Sequence, residues 1–362
     1  MSTLVTGETD LLFDGLKAAF QSAAATGDVV MIVSFSNCCP MAAELPPAAS
    51  ALTIFGPVPS RRLGQSLGIG NVPPKTCSYS CVYCQVGPTP ATEIEPRAFW
   101  SAGGVVEAVT RQVEKLRARG ERVDYLTFVP DGEPTLDRNL GPEIDGLRSL
   151  GIPIAVISNG SLVWRADVRA ALATADWVSL KVDAADDVTW RKINRPQGSL
   201  TLATVLDGML QFAAEFRGEL ATETMLVRGV NDSDAAIEAA AAFVERLRPR
   251  TAYIAAPTRP PSEPWVVPAS EEVFNAAFQR FAKRLSHVEL LTGFEGTGFG
   301  TTGDVAQDLL AITAVHPMRD DAVLALLGKA DADRSVLDRL VDEGALKPVT
   351  YQDRVFYVRR FS

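Results

Sequence analysis

Three of the chain's five cysteines, Cys77, Cys81 and Cys84, fall within the stretch KTCSYSCVYCQVG at residues 75–87. Thiolates bind soft metals, and an iron–sulfur cubane takes one thiolate per iron, normally four in all. Three protein sulfurs would leave one iron free to bind something else. A structural zinc ion also takes cysteines, but it wants four protein ligands, commonly as two C-x2-C pairs. Here the second pair is missing. Cys38 and Cys39 are adjacent and reach one ion awkwardly, and the two histidines, His287 and His316, sit in apolar contexts that read as packing. The spacing favours a cluster over zinc, and metal analysis separates the two.

The elements that must position such a site are legible as an alternation. VDYLTFVP (123–130), PIAVISNG (153–160), WVSLKVDA (177–184), ETMLVRGV (223–230), AYIAAP (252–257) and HVELLTG (287–293) predict buried strands. Between them, 103–120, 136–151, 166–175, 202–216, 234–248 and 270–286 carry helical periodicity. This alternation predicts an α/β fold with a parallel sheet, open or closed as a barrel, whose chemistry collects at the C-terminal strand ends. Within the third strand, Ser179, Lys181 and Asp183 share one face. Polar groups turned into a barrel cost free energy unless partnered, so the readings are ligand contacts or a structural Lys181–Asp183 pair. Asn194, Arg195, Asn231 and Arg259 lie in Gly- or Pro-rich loops and read either as lining a substrate mouth or as loop-fixing hydrogen bonds.

The Pro/Ala-rich connector ELPPAAS (44–50) starts the main domain at about residue 51. Ahead of it, VVMIVSF (29–35) follows the acidic segment TGETDLLFDG, where an export signal needs positive charge. Residues 1–50 therefore read as a dispensable extension, with Met41 as an alternative start. The catalytic domain is expected over 51–303. From 304 to 362 the alternation gives way to three short helices and a hairpin turning near Gln352 and Asp353, which resembles a winged helix.

A net charge of −9 on 362 residues argues against a broad electrostatic footprint for nucleic acid or an anionic membrane. The best basic spots, SRR (60–62) and VRR (358–360), read as solvated edges. With no run of 18 apolar residues, no spanning helix is expected. Cysteines kept as thiolates point to a cytoplasmic protein.

The C-x3-C-x2-C spacing, with Tyr83 just before the last cysteine, resembles the signature of the radical S-adenosylmethionine (radical SAM) superfamily. The resemblance implies a partial (β/α)6 TIM-like barrel. It implies a [4Fe–4S] cluster on Cys77, Cys81 and Cys84, with S-adenosylmethionine chelated at the open iron. Reductive cleavage would then give methionine and a 5′-deoxyadenosyl radical that abstracts hydrogen from an unknown substrate. PDGEPTL (130–136) resembles the superfamily's second motif, with Asp131 in place of its first glycine, so Gly132, Glu133 and Pro134 carry the match. Ser158 and Asn159 of ISNGSL stand where the superfamily contacts the ribose and carboxylate of S-adenosylmethionine, and Lys181 of SLKVDA is placed to face that carboxylate. By the same resemblance Tyr83 joins the cofactor contacts, and Lys181 with Asp183 are the catalytic candidates. An external electron donor of the flavodoxin or ferredoxin type is implied.

The run from Phe55 to Gly87, with INRP (193–196), GVND (229–232) and RPPSEPW (259–265), resembles a family of bacterial and archaeal Fe–S oxidoreductases grouped with the radical SAM enzymes of wyosine (tRNA) biosynthesis. That grouping makes a tRNA base a candidate substrate, to which the acidic chain lends little. Two classes stay open: the radical SAM enzyme, and a zinc-binding protein that holds nucleic acid through its winged helix.

Overall fold

The computed structural model describes residue 17 and residues 52–360. The expectations for residues 1–50, including Met41 and the Cys38–Cys39 pair, lie outside these. One sheet of eight strands organises the chain in sequence order: β1 (Thr53–Ser60), β2 (Gly64–Gly70), β3 (Tyr125–Phe128), β4 (Ile154–Ser158), β5 (Trp177–Lys181), β6 (Glu219–Met225), β7 (Thr251–Ala255) and β8 (Val288–Leu291). From β2 to β8 every neighbouring pair is parallel, and only β1 runs antiparallel to β2. A parallel sheet must be covered on both faces. Accordingly β4 and β7 are buried almost throughout, without the alternation of a half-exposed strand.

Helices α1 (Ala102–Ala118), α2 (Leu140–Leu147), α3 (Ala166–Leu172), α4 (Asp187–Asn194), α5 (Leu202–Glu215), α6 (Asp234–Leu247) and α7 (Glu271–Ala282) fill the connections. Their starts follow the capping chemistry of the sequence: Ser101, Asp186, Thr201, Ser233 and Ser270 each accept a hydrogen bond from a first-turn N–H. The stretch expected as one helix over 136–151 is instead α2 between two short 3-10 turns. The strand expected at 223–230 ends at Met225, because the Asn231 amide takes the Val227 N–H and donates to the Asp183 and Met225 carbonyls.

The sheet holds two strands more than the six expected. Both precede the cysteines, in a hairpin whose prolines and glycines hide its strand character. Gly68 is required there: a Cβ would stand 2.1 Å from the Phe55 ring, which lies across it.

Beyond the sheet, α8 (Val305–Thr313), α9 (Asp320–Lys329) and α10 (Ser335–Asp342) precede a hairpin of β10 (Leu346–Tyr351) and β11 (Arg354–Arg359). Gln352 and Asp353 turn it with positive φ. A two-residue strand, β9 (Met318–Arg319), adds a third member by pairing with β11. This tail buries Leu309, Ile312, Val323, Leu326 and Leu337 against Phe55 and Val58 of β1. The segment from Ala51 to Ser362 clusters as one compact unit.

Candidate active site

The three cysteines sit in the loop that follows β2, which is stitched to its surroundings on two sides. On one side the Lys75 N–H donates to the Asp131 carbonyl (2.7 Å) and the Glu133 N–H to the Thr76 carbonyl (2.8 Å). The approach is so close that a Cβ on Gly132 would lie 2.2 Å from the Thr76 oxygen. On the other side the Val82 N–H donates to the Ile193 carbonyl (2.9 Å) and the Ser80 N–H to the Asn194 carbonyl (3.1 Å), at the C-terminus of α4. The GEP turn and α4 thus fix the loop between them.

Cys77, Cys81 and Cys84 line one cavity of about 240 Å³ with Gly132, Arg62 and His316. Burial pushes all three thiols up; Cys81 reaches about 12, with Asp183 adding to the burial. Buried sulfurs become ligands when a cation compensates their charge, and side-chain donors here already face two of them. Asn194 Nδ2 lies 3.4 Å from Cys81 Sγ and Asn159 Nδ2 lies 3.6 Å from Cys77 Sγ. Among the described residues no group of three or more His, Cys, Asp or Glu side chains is placed to hold a single metal ion. Three thiols around a shared cavity, with amide donors behind them, fit a cluster that spans the space between them.

Glu133 and Ser158 are both buried. Glu133 Oε1 accepts from Ser158 Oγ (2.7 Å), Thr135 Oγ1 (2.7 Å) and Thr135 N (3.1 Å), and Oε2 accepts from Asn159 N (2.7 Å). Burial raises its pKa, and these donors pull it back only in part. Glu133 therefore ties the GEP turn to the end of β4. The Ser158 hydroxyl is spent on this bond, while the Asn159 side chain reaches Ser78 Oγ (2.9 Å) beside Cys77. Asp131 instead pairs with Lys75 at 3.2 Å; burial lifts its pKa to about 6.

Lys181 and Asp183 do not pair with each other as the structural reading expected. Asp183 accepts from the Tyr83 hydroxyl, from Asn194 Nδ2 (2.7 Å) and from the Met225 N–H (2.8 Å), so both of its oxygens are occupied in a buried brace. Burial raises its pKa. Lys181, 5.4 Å above the Tyr83 ring, pairs with Glu223, its register partner on β6. Glu223 also binds Arg62. Burial works against the Glu223 charge, but Lys181 and Arg62 outweigh it and hold the carboxylate down at about 2. Burial likewise opposes the Lys181 charge, and Glu223 and Asp183 overcome it, raising its pKa.

Of the loop residues, Asn194 backs Cys81 and Asn231 fixes its own turn. Arg195 pairs with Glu263 on the surface, and Arg259 lines the cysteine cavity with Glu295 and His316. Two sequence readings need correction. Arg62 is no solvated edge: it enters the cavity because the β1–β2 turn delivers it to Glu223. Arg359 donates to the Leu310 carbonyl inside the tail. His316 is buried in a cavity wall and is not simple packing, and His287 is exposed. Glu223 and Arg62 were missed because only the register of β5 and β6 and the hairpin bring them to Lys181.

Residues 71–240 match the family model of the Radical SAM superfamily. The UPF0026 protein MJ1312 of Methanocaldococcus jannaschii is 45% identical over 307 residues, 84% of this chain and 95% of that one. A UPF0026 protein of Helicobacter pylori strain 26695 is 33% identical over 210 residues, 57% of this chain and 65% of that one. A solved structure of TYW1 with a lysine-pyruvate adduct bound covers 61% of this chain and 74% of its own, at 18% identity and a TM-score of 0.48. The chain belongs to the UPF0026 family and to the radical SAM superfamily, whose enzymes use a [4Fe–4S] cluster and S-adenosylmethionine.

Proposed function

We propose that the chain is an enzyme in which Cys77, Cys81 and Cys84 hold one [4Fe–4S] cluster, which cleaves S-adenosylmethionine reductively so that a 5′-deoxyadenosyl radical takes hydrogen from a substrate. The observation that carries this reading is the sharing of one cavity by the three sulfurs, with amide donors of Asn159 and Asn194 behind two of them. The Gly132 backbone and the Asn159 side chain would bound S-adenosylmethionine, and Glu133, Pro134 and Ser158 would shape that wall from behind. Tyr83 would carry Lys181, whose ammonium would face the carboxylate of the co-substrate. Asp183 would act through Tyr83 and Asn194 and not on the reacting atoms.

An alkyl radical is preserved only where water is kept out. Val315 and His316 of the tail wall the cysteine cavity, which supports reading the winged-helix-like tail, residues 304–362, as a lid. A flavodoxin- or ferredoxin-like donor would supply the electron, in a cytoplasmic setting. Among the described residues no helix is long and apolar enough to cross a membrane.

A second reading takes a tRNA base as the substrate, with the body of the tRNA held at the end of the sheet opposite the cysteine cavity. Arg217, Arg246, Arg248, Arg250 and Arg284 gather in an open groove at the start of β6, a basic patch scattered in sequence and opposed there by Glu219 and Glu245. Salt-dependent binding of bulk tRNA, lost in an Arg246→Gln/Arg250→Gln variant, is the expected result of that version.

The test of the main reading is anaerobic reconstitution with iron and sulfide, followed by reduction with S-adenosylmethionine. About four irons per chain and release of 5′-deoxyadenosine are expected. A colourless protein with one bound zinc would sink it.

A further inference from the structure

Arg259 sits where the cysteine loop, the segment after β8 and the tail meet. Its Nη1 donates to Gln85 Oε1 at 2.9 Å, and its Nη2 donates to Glu295 Oε2 at 2.6 Å and lies 3.2 Å from His316 Nε2. Gln85, the residue directly after Cys84, passes the connection on by donating from Nε2 to the Val315 carbonyl at 2.7 Å. Burial first, and then Arg259, hold the His316 pKa well below its ordinary value. The ring is therefore neutral, so Nε2 accepts from the guanidinium and Nδ1 carries the proton. Phe299 closes the ring's other side, edge-on at 5.5 Å. The one acid that pairs with Arg259 among the described residues is Glu295.

A planar guanidinium can serve three acceptors in fixed directions, which a lysine ammonium cannot reproduce. Arg259, Gln85, Glu295 and His316 all line the same cavity as the three cysteines. We infer that Arg259 is a positioning residue, which fixes the loop that follows Cys84 and seats the tail as one wall of the cysteine cavity. The inference rests on the radical SAM reading only for what the cavity holds. A tail held by apolar packing alone would move independently of the cysteine loop. Through Arg259 and Gln85 the two move together.

The experiment compares Arg259→Gln and Arg259→Lys with Tyr351→Phe in the full-length protein, reconstituted anaerobically. Tyr351→Phe removes the separate bond from the Tyr351 hydroxyl to the Pro257 carbonyl (2.8 Å) and the hydroxyl's bond with Gln352 beside it, tail contacts that bypass Gln85. Hydrogen exchange of residues 85–89 and 313–318 is read beside the electron paramagnetic resonance spectrum of the reduced cluster with and without S-adenosylmethionine. Both Arg259 variants are expected to keep their iron and to exchange about tenfold faster in both segments, the factor that roughly 1.4 kcal/mol gives. Their spectral response to S-adenosylmethionine should also change. Tyr351→Phe should speed exchange in the tail alone and leave the spectrum as in the parent. Unchanged exchange in either segment of Arg259→Gln overturns the inference, as does full rescue by lysine. If Arg259→Gln does not fold, Arg259→Lys carries the comparison. A parent protein without a cluster defeats the radical SAM reading, while the exchange data still judge Arg259.

Discussion

Asn194 directs its amide nitrogen at the Cys81 sulfur, 3.4 Å away, while the same nitrogen lies 2.7 Å from Asp183 Oδ2. One side chain thus serves a candidate metal ligand and the carboxylate that braces Tyr83. Hydrogen bonds to cluster sulfurs raise the reduction potential, since they stabilise the added negative charge. Asn194→Ala should lower the midpoint potential in a redox titration. Leaving buried Asp183 one donor short should also cost about 1–3 kcal/mol in urea unfolding. A variant with an unchanged potential would remove Asn194 from the sulfur's environment.

Gly132 tests the packing of the GEP turn against the cysteine loop. A methyl group there would meet the Thr76 oxygen at 2.2 Å and Val72 at 2.9 Å, and backbone cannot step aside cheaply. Gly132→Ala should lose about 1–3 kcal/mol by overpacking and displace the loop that carries Cys77. Its iron content after reconstitution should fall below that of the parent. Full iron loading with parental thermal stability would contradict the close approach.

The order of strands and most helices was legible because most of the parallel strands are apolar runs and five of the helices between them start at a Ser, Thr or Asp cap. The hairpin before the cysteines was not. GQSLGIG offers three glycines in seven residues, and its strand character comes from pairing with β1 and β3, a tertiary effect. The same split holds in the site. Cys77, Cys81, Cys84 and the GEP turn are local patterns, visible in one short stretch each. Glu223 and Arg62 become neighbours of Lys181 only through strand register, and His316 reaches the cavity only because the tail folds back on Phe55 and Val58. Lys181 and Asp183 share a strand face in the sequence pattern, yet β5 ends at Lys181. Asp183 then follows the loop to Tyr83.

Glu223 lies between two cations and stays ionised to about pH 2. Its folded pKa is below the ordinary 4.5, so its stabilisation is complete above about pH 4.5 and is lost as pH falls toward 2. Glu223→Gln removes the carboxylate between Lys181 and Arg62, leaving only the more distant Asp183 charge to act on Lys181, and should cost about 3–5 kcal/mol at neutral pH. Below pH 4.5 the difference between variant and parent should shrink, because the parent is then losing the same interaction. Urea melts at pH 7 and pH 3 check both halves. An equal difference at the two pH values would mean that the ionic contacts are not the source.

Beneath the GEP turn, Glu143 of α2 and Asp137 are buried together, and Asn71 of the segment after β2 donates to the Pro134 carbonyl at 3.1 Å beside them. Side-chain hydrogen bonding joins the two carboxyls to each other and brings the Asn71 amide to Glu143. Two carboxylates cannot both ionise there, so one proton is retained between them. Burial first, and then the Asp137 charge, push the Glu143 pKa up to about 9; burial pushes Asp137 up as well. For an acid whose folded pKa is raised, the native state holds the extra proton. Stability therefore falls as pH rises from the ordinary 4.5 to about 9, by at most about 1.4 kcal/mol per pH unit. Glu143→Gln keeps the shape and a donor for Asp137 and has no proton to lose. The variant should match the parent near pH 5 and become the more stable of the two by pH 8, with the gap in melting temperature widening between. A variant less stable than the parent throughout that range would show that Glu143 works as a carboxylate, held by a cation and not by a shared proton.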